Sequence, residues 1–524
     1  MGGAEALPGE AEAGERQPED VGPEAPGIFF MAGLKGYLEP CGCSADVLLG
    51  GAERIVGYVQ AARELYPDSL MLDAGDMLFE RAELEDHKVP QAKAKTDVIV
   101  AMQKALGTKV TVPGERDFAL GPELYLDKIE QTGAEIVAAN LTINGNGYPG
   151  AKRLEVGDWQ LGVVGAVDPA LYEGVEGVQA SEIAGAVREA LGSLEETDAV
   201  VALFHGGLNK AKELLEAHDA IDFIVVGHDP RETDQVDEVN NGYTLEAYDQ
   251  GRYVGILKLF GSGKLDPFAN AKTGSESELE NINRQIAHVE ESIEELPPAP
   301  PGEGPAVLKR LRERLDELEA RRREINHADL EVAEDQKSFL YRPVPMKPGY
   351  PIAKSIREKR VAFNAELEDL NRQVDRQVPP VPEGEATNQC ATCHSKAHDF
   401  WKGTLHAKAL ETLQKRDKAW DQECIGCHVV GYEKPGGSVL GKLKYKEKVD
   451  GQTLTKNLQD VGCENCHGPG SKHRAQPDGK PQYIDDGTGK QVCKQCHVPE
   501  HSPRFNYETY VDKITGEGHE RSSK

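Results

Sequence analysis

Eight of the ten cysteines in this 524-residue chain belong to four Cys-x-x-Cys-His strings near its C-terminal end. Two thiols at this spacing can bond to both vinyl groups of one haem, and the histidine that follows can reach the haem iron. One such string alone could instead hold zinc or form a thioredoxin-like redox pair. Four in succession favour covalent haem attachment. In chain order, the first to fourth motifs are Cys390-Ala391-Thr392-Cys393-His394, Cys424-Ile425-Gly426-Cys427-His428, Cys463-Glu464-Asn465-Cys466-His467 and Cys493-Lys494-Gln495-Cys496-His497.

The histidines of this region complete the expected iron coordination. The sequence predicts four c-type haems whose proximal ligands are His394, His428, His467 and His497. Five further histidines occur in the same region, whereas six precede Cys390. This enrichment predicts distal ligands, because a second imidazole gives a six-coordinate low-spin iron. For each of the five, a surface histidine is the alternative interpretation. The five are His398, His406, His473, His501 and His519.

Longer stretches around the motifs carry a family resemblance. They are residues 401–409 (WKGTLHAKA), residues 427–432 (CHVVGY) with Pro435-Gly436-Gly437, and residues 461–470 (VGCENCHGPG). These stretches resemble the tetrahaem cytochromes of the c-554 type, from the hydroxylamine-oxidation pathway of ammonia oxidisers. The resemblance covers the last quarter of the chain.

That resemblance implies a particular ligand set. It implies that His406, His473 and His519 are distal ligands and that the haem on His428 is five-coordinate. The chain departs from the family by being shorter between the third and fourth motifs and by having His501 just after the fourth. The assignment of His519 therefore stays open.

A second candidate site lies in the first half of the chain. Between residues 28 and 268, short apolar runs of strand length alternate with amphipathic stretches that fit crossover helices. Several of the runs end in a polar side chain, and α/β sheets bind ligands beyond the carboxyl ends of their strands. We therefore expect a site built from these side chains. They are Asp73, Asp76, Asn140, His205 and His228.

The strings around these residues resemble a second family. Asp73-Ala74-Gly75-Asp76, Phe204-His205-Gly206-Gly207 and Val226-Gly227-His228 are similar to motifs of the metallophosphatase domain of secreted 5'-nucleotidases. That family holds two metals with D-x-H, G-D, G-N-H-[DE], a lone H and G-H-x-H. Three of these motifs have changed, which disfavours an ordinary two-metal nucleotidase. They read Glu39-Pro40-Cys41-Gly42-Cys43-Ser44, Gly114-Glu115-Arg116-Asp117 and Gly227-His228-Asp229-Pro230.

The remaining cysteines, Cys41 and Cys43, stand where that family has its first metal ligands. Three interpretations stay open: a C-x-C disulfide or dithiol, a soft-metal site, and structural thiols. A divalent or soft metal ion is therefore one candidate cofactor of the N-terminal domain. The candidate ligands are Asp76, His205, His228, Cys41 and Cys43.

The order of these patterns predicts a multidomain protein. It consists of an α/β metallophosphatase-like sandwich, an α-helical coiled-coil hairpin, and a mostly α-helical or irregular multihaem cytochrome c domain. Leu, Ile and Val recur every three or four residues on both sides of a proline-rich stretch, which predicts the hairpin. We interpret it as a spacer, with self-association as the alternative. The expected ranges are a disordered acidic leader at 1–27, the sandwich at 28–268, the hairpin and a linker helix at 269–385, and the haem domain at 386–524.

Composition narrows the function. The net charge of −29 disfavours binding to nucleic acid, which requires clustered Lys and Arg. No apolar run approaches the roughly 20 residues that cross a bilayer, and no signal peptide is visible before residue 28. Because haem attachment of this kind requires export, we expect a periplasmic or otherwise extracytoplasmic protein. It would transfer electrons between redox partner proteins, with a fused domain that binds a partner, a ligand or an altered metal. The alternative is an enzyme, either a phosphoester hydrolase or a redox catalyst at a five-coordinate haem.

Overall fold

The structure is a computed structural model that describes most of the chain between residues 25 and 519. Cys41, Cys43 and His501 lie outside the described residues. The described ranges are 17–18, 25–40, 49–66, 68–194, 196–231, 233, 235–261, 265–271, 276–294, 306–328, 336–372, 387–449, 452–475, 489–498, 502, 505–516 and 518–519.

The strands are short, and most are apolar, as expected for sheets covered on both faces. In chain order they are β1 (Gly27–Met31), β2 (Leu70–Asp73), β3 (Val110–Thr111), β4 (Glu135–Ile136), β5 (Leu141–Ile143), β6 (Asn146–Gly147), β7 (Ala151–Val156), β8 (Trp159–Val167), β9 (Val178–Ala180), β10 (Ala199–His205), β11 (Phe223–Val226), β12 (Glu238–Val239), β13 (Gly242–Leu245), β14 (Tyr253–Phe260), β15 (Leu265–Asn270), β16 (Gln336–Pro345), β17 (Lys444–Val449) and β18 (Gln452–Asn457).

The helices are concentrated on the outside of the sheets and in the C-terminal segment. In chain order they are α1 (Ala52–Ala62), α2 (Val89–Leu106), α3 (Pro122–Thr132), α4 (Ile183–Leu191), α5 (Leu208–Ala217), α6 (Glu276–Glu294), α7 (Ala306–Ala328), α8 (Lys354–Arg372), α9 (Ser395–Lys402), α10 (Ala409–Gln414), α11 (Cys463–His467), α12 (Ser471–Ala475), α13 (Gly489–Cys493) and α14 (Tyr507–Ile514).

Two large sheets form the sandwich. The first has the strand order β15-β16-β14-β1-β2-β3-β4, and the second has the order β12-β13-β11-β10-β8-β7. Strands β1 to β4 are parallel to one another, and so are β8, β10, β11 and β13. The carboxyl ends of parallel strands meet at one edge of each sheet, which is where polar side chains from different strands can converge.

The core lies between the two sheets, and alternation along the strands decides which side chains enter it. On β10, Val201 and Leu203 belong to the central core, whereas Val200 and Phe204 pack in a second cluster on the opposite face. Helices α4 and α5 cover that second cluster through residues such as Val187 and Leu214. This period of two follows from the pleat of the strand.

The expected domain boundary at residue 268 requires correction. After helices α6 and α7, strand β16 pairs antiparallel with β14 and parallel with β15, so the chain returns to the first sheet. Helix α8, expected as a linker, then packs on α1 and α2 and buries Phe363 and Leu367 in the central core. The helix pair is therefore inserted into the sandwich domain.

Helices α6 and α7 contact each other along their apolar faces. Ile282 and Ile286 of α6 pack against Leu318 of α7. These residues belong to the repeat seen in the sequence, and a buried apolar stripe stabilises such a pair. The coiled-coil geometry and the self-association of this hairpin stay predictions.

In its described residues, the C-terminal segment has short helices and a two-stranded sheet formed by β17 and β18. Among the described residues of this segment, Leu410, Leu413, Ile425 and Val429 form a hydrophobic cluster. Such a small cluster buries little apolar surface. Across the described ranges of the chain, none of the helices is long and apolar enough to cross a membrane.

Candidate functional site

Each Cys-x-x-Cys-His motif lies on a short helical turn. In the first motif the backbone N–H of His394 donates to Cys390 O at 2.9 Å, and in the fourth the N–H of His497 donates to Cys493 O at 2.8 Å. A turn of this kind places both thiols and the following imidazole on neighbouring parts of one helical surface. In the structure, none of the eight motif cysteines forms a disulfide.

Three motif histidines lie opposite a second histidine. The ring centroids of His394 and His473 are 6.1 Å apart, and those of His406 and His497 are 6.2 Å apart. The third pair is His467 and His519, at 6.3 Å. Two imidazoles that bind one metal ion through nitrogen bonds of about 2 Å have centroids roughly 6.3 Å apart. The three separations therefore leave room for one iron between the rings of each pair.

The protonation state favoured for these imidazole rings is the neutral one, which can bind a metal. Burial lowers the pKa of His406, His467, His497 and His519 below its usual range. The neutral imidazole, which is the form that binds a metal, is thereby favoured.

Two motif histidines are also oriented through Nδ1. His428 Nδ1 lies 2.6 Å from Ala409 O, so this nitrogen carries the proton and donates it to the carbonyl. His497 Nδ1 lies 3.0 Å from Ser502 Oγ. Bonds of this type set the tautomer and direct Nε2 toward a metal.

Neighbouring cysteine side chains join the four motifs in two pairs. The side chain of Cys390 lies beside that of Cys463, which joins the first motif to the third. Cys427 and Cys496 likewise join the second motif to the fourth. Each motif therefore has a close neighbour that is distant in sequence.

In the N-terminal domain, four side chains converge beyond the carboxyl ends of the strands. Asp76 follows β2, Glu115 follows β3, His205 ends β10, and His228 follows β11. One ligand atom from each lies within 4.8 Å of all the others. His205 Nε2 is 2.7 Å from Glu115 Oε2 and 3.6 Å from Asp76 Oδ1, and His228 Nδ1 is 3.4 Å from Glu115 Oε1.

Burial and hydrogen bonding favour the binding of a cation by this cluster. His205 is fully buried, and its Nδ1 donates to Ala74 O at 2.9 Å, which leaves Nε2 facing the carboxylates. The buried atoms Asp76 Oδ2 and His228 Nδ1 make no hydrogen bond of acceptable geometry with the described residues. Buried polar atoms without such bonds are costly unless an ion or water satisfies them. Two carboxylates and two imidazoles suit a divalent ion such as zinc or manganese.

The charges of the cluster depend on one another. Burial opposes ionisation of Glu115, yet the hydrogen bond from His205 and the nearby charge of His228 hold its pKa below the usual range. Burial also opposes protonation of His228, but its contacts with Asp229 and Glu115 raise its pKa to about 9. Without a metal, the histidines thus compensate the carboxylates, and a bound divalent ion would replace that positive charge.

The backbone at this site is strained. Asp76, Asp229 and Lys35 have φ values of 55°, 46° and 53°, a region that residues with a Cβ rarely adopt. Glycine is required at position 114, because a Cβ there would lie 2.2 Å from Asp76 Oδ1. Strained residues that gather at one place are typical of functional sites.

Two residues expected at this site have structural roles instead. Asp73 accepts hydrogen bonds from Gly75 N at 3.0 Å and Thr111 Oγ1 at 3.1 Å. Asn140 bonds the backbone of Val167 through both its amide groups, at 2.8 and 2.9 Å. Cys41 and Cys43 are outside the described residues. The sequence prediction missed Glu115, although its position just after a strand was a usable signal.

Residues 389–468 match the family model of cytochrome c554 and c-prime. A match that covers 17% of this chain is 33% identical to cytochrome c-554 of Nitrosomonas europaea. The chain spans 40% of the length of that curated relative. The cytochrome c554-like segment contains the first three motifs, and this family implies covalently bound haem c.

Three solved structures are similar to this chain over 76%, 83% and 91% of its length. Sulfate thiohydrolase SoxB of Thermus thermophilus is 14% identical, with a TM-score of 0.47 and coverage of 76% of this chain and 69% of that chain. A putative 5'-nucleotidase of Staphylococcus aureus is 14% identical, with a TM-score of 0.45 and coverage of 83% and 70%. A 5'-nucleotidase precursor, also of Thermus thermophilus, is 13% identical, with a TM-score of 0.46 and coverage of 91% and 97%.

Proposed function

We propose that this chain is an extracytoplasmic multihaem cytochrome that transfers electrons and carries four haems, one on each motif. The observation that supports this most strongly is the spacing of 6.1–6.3 Å in the three histidine pairs. In this proposal His394, His467 and His497 are proximal ligands, and His473, His519 and His406 are their respective distal ligands. Haem supplies the one-electron redox chemistry when it is bound.

The protein's own part in electron transfer is to place the motifs close together. The side chains of Cys390 and Cys463, and those of Cys427 and Cys496, lie beside each other, so each motif has a neighbouring motif. Helix α9, next to the first motif, is further tied to the third by a bond of 2.9 Å from Trp401 Nε1 to Val461 O. An electron carrier with several cofactors requires such proximity, and these contacts support it.

Haem content tests the proposal directly. A pyridine haemochrome assay and intact-mass measurement on denatured protein should give four haems per chain. The double variant Cys493→Ala, Cys496→Ala should give three, and the matched variant Ser502→Ala, which leaves every thiol in place, should give four. Fewer than four haems on fully matured wild-type protein would contradict the proposal.

We infer a metal-binding role for the N-terminal domain, with Asp76, Glu115, His205 and His228 as ligands. The convergence of their ligand atoms within 4.8 Å supports it, as does the buried His228 Nδ1, which makes no hydrogen bond of acceptable geometry with the described residues. Metal analysis of the holoprotein should find zinc, manganese or copper in addition to haem iron. The variant Glu115→Gln should lose that extra metal while keeping its haem content. If the wild-type protein binds iron alone, the inference fails.

The strained backbone around this cluster favours a second candidate function, which is catalysis at the N-terminal metal. Hydrolysis of a phosphoester and redox chemistry passed on to the haems are both compatible with a metal held by carboxylates and imidazoles. The two are distinguished by whether a substrate is consumed with or without reduction of the haems. The haem absorption spectrum reports that reduction during turnover.

We also propose that the partners are redox proteins with basic surfaces outside the cytoplasm. The net charge of −29 would attract such partners and speed their encounter. The rate of electron exchange with a small basic cytochrome should therefore fall as ionic strength rises, because salt screens the attraction. An unchanged rate would argue against electrostatic steering.

A further inference from the structure

Two cationic side chains border the Asp76–Glu115–His205–His228 cluster. Arg116 Nε lies 3.4 Å from Asp76 Oδ2 and 3.3 Å from Glu115 Oε1, and its Nη2 is 3.4 Å from Asp229 Oδ1. Lys35 Nζ lies 2.9 Å from the same Asp229 oxygen and 2.6 Å from Asp249 Oδ2. Both side chains are largely buried, with exposed fractions of 17% for Arg116 and 9% for Lys35.

The space for metal ions is therefore restricted. Four ligand atoms within 4.8 Å of one another can surround one ion, since metal–ligand bonds measure about 2.0–2.2 Å. A second ion, about 3.5–4 Å from the first, would need bridging carboxylate oxygens and ligands of its own. Here Asp76 Oδ2 and Glu115 Oε1 already face a guanidinium, and Asp229 is bound by both cations.

The balance of charges at the site also favours one divalent ion. The buried carboxylates Asp76 and Glu115, together with the more exposed Asp229 and Asp249, accumulate negative charge that the site must balance. Arg116 and Lys35 supply two positive charges at its edge. A guanidinium is weakly hydrated and remains charged when buried, so it can replace a cation at such a place.

We propose that the N-terminal site binds a single divalent cation and that Arg116 and Lys35 provide the charge that a second cation would otherwise supply. The proposal rests on the inference that this site binds a metal. Arg116 thereby defines one wall of the site. A ligand that enters must meet one metal ion and one guanidinium, a combination suited to a small anion.

The test uses the full-length holoprotein, stripped of loosely bound metal with a chelator and then incubated with Mn²⁺ and dialysed. Elemental analysis gives the number of manganese ions per chain. Electron paramagnetic resonance is recorded after reduction with dithionite, because ferrous haems are then silent at the manganese signal. We expect one manganese per chain and the isolated six-line spectrum of a mononuclear ion.

Three variants locate the bound ion. Asp76→Asn and Glu115→Gln should each lose most of the manganese while keeping four haems. Glu85→Gln should retain it; this residue belongs to a separate, more exposed Glu85–His87–Glu433 group. Loss of manganese in Glu85→Gln, or its retention in Asp76→Asn, would place the ion elsewhere and overturn the proposal.

The manganese content of the wild-type protein distinguishes failure of the single-ion proposal from failure of the metal-binding inference. Two manganese ions per chain with an exchange-coupled spectrum would overturn the single-ion proposal and leave the metal-binding role intact. No manganese, zinc or copper at all would overturn both.

Discussion

Lys95 of helix α2 forms an ion pair with Glu423, and its Nζ lies 2.5 Å from each carboxylate oxygen. Glu423 directly precedes Cys424, the first thiol of the second motif. Nearby, Lys418 binds Asp421 at 2.9 Å and approaches Glu39 of the N-terminal domain at 3.3 Å. These ion pairs connect the segment that leads into the second motif to the sandwich domain.

Buried amides complete this contact. Asn371 of helix α8 donates to Gln91 Oε1 and to Trp420 O, both at 2.8 Å, and Gln422 N donates to Gln91 Oε1 at 3.1 Å. Hydrogen bonds between buried groups specify one arrangement, because any other would leave polar atoms unsatisfied. The second motif is thus held in a defined position against the N-terminal domain.

The first prediction concerns the Lys95–Glu423 pair. Replacing Lys95 by Met should lower the free energy of unfolding by about 1–2 kcal/mol, since Glu423 loses its partner but remains partly exposed to water. Denaturant unfolding of the holoprotein measures the change. Lys93→Met, at an exposed position of the same helix, is the control. Equal stability of the two variants would show that the pair contributes nothing to this contact.

The histidine pairs predict which haem responds to each distal substitution. His473→Ala, His519→Ala and His406→Ala should each convert one haem from low-spin to high-spin, because its iron loses one imidazole. Electron paramagnetic resonance of the oxidised protein counts the new signals. His398→Ala is the control, since this ring packs against Trp401 with centroids 5.4 Å apart. A new high-spin signal in the control would reassign the ligands.

The resting spin states provide a third prediction. The three histidines that the family resemblance implies as distal ligands lie beside His394, His467 and His497. We therefore expect the haem on His428 to be five-coordinate and to give one high-spin ferric signal beside low-spin signals. A wholly low-spin spectrum would contradict this expectation and weaken the case for a reactive iron.

The fourth prediction is that nucleotidase activity is low or absent. Arg116 lies against Asp76 and Glu115. We therefore expect the site to lack the two adjacent metal ions that activate water in the metallophosphatase family, whose motifs the sequence resembles. The full-length holoprotein should be assayed with nucleotide monophosphates and added divalent metals. Robust turnover that Asp76→Asn abolishes would refute the prediction, and turnover unaffected by Asp76→Asn would indicate a contaminating enzyme.

Some features could be read from the sequence because they depend on residues close together in the chain. The Cys-x-x-Cys-His motifs need only one helical turn, so the expectation of covalent haem required no knowledge of the fold. The alternation of strands and helices could also be predicted, because apolar runs such as Phe223–Val226 are continuous when both faces of a sheet are covered.

Other features required the tertiary structure because they join residues far apart in the chain. His406 lies opposite His497 and not His394, although it is much nearer to His394 in sequence. Glu115 enters the metal cluster only because β3 lies beside β2 in the first sheet. Strand β16 returns to that sheet after the helical hairpin, which a local pattern does not indicate. The sequence by itself determined the chemistry that these residues can perform, and the packing of distant segments decided which of them act together.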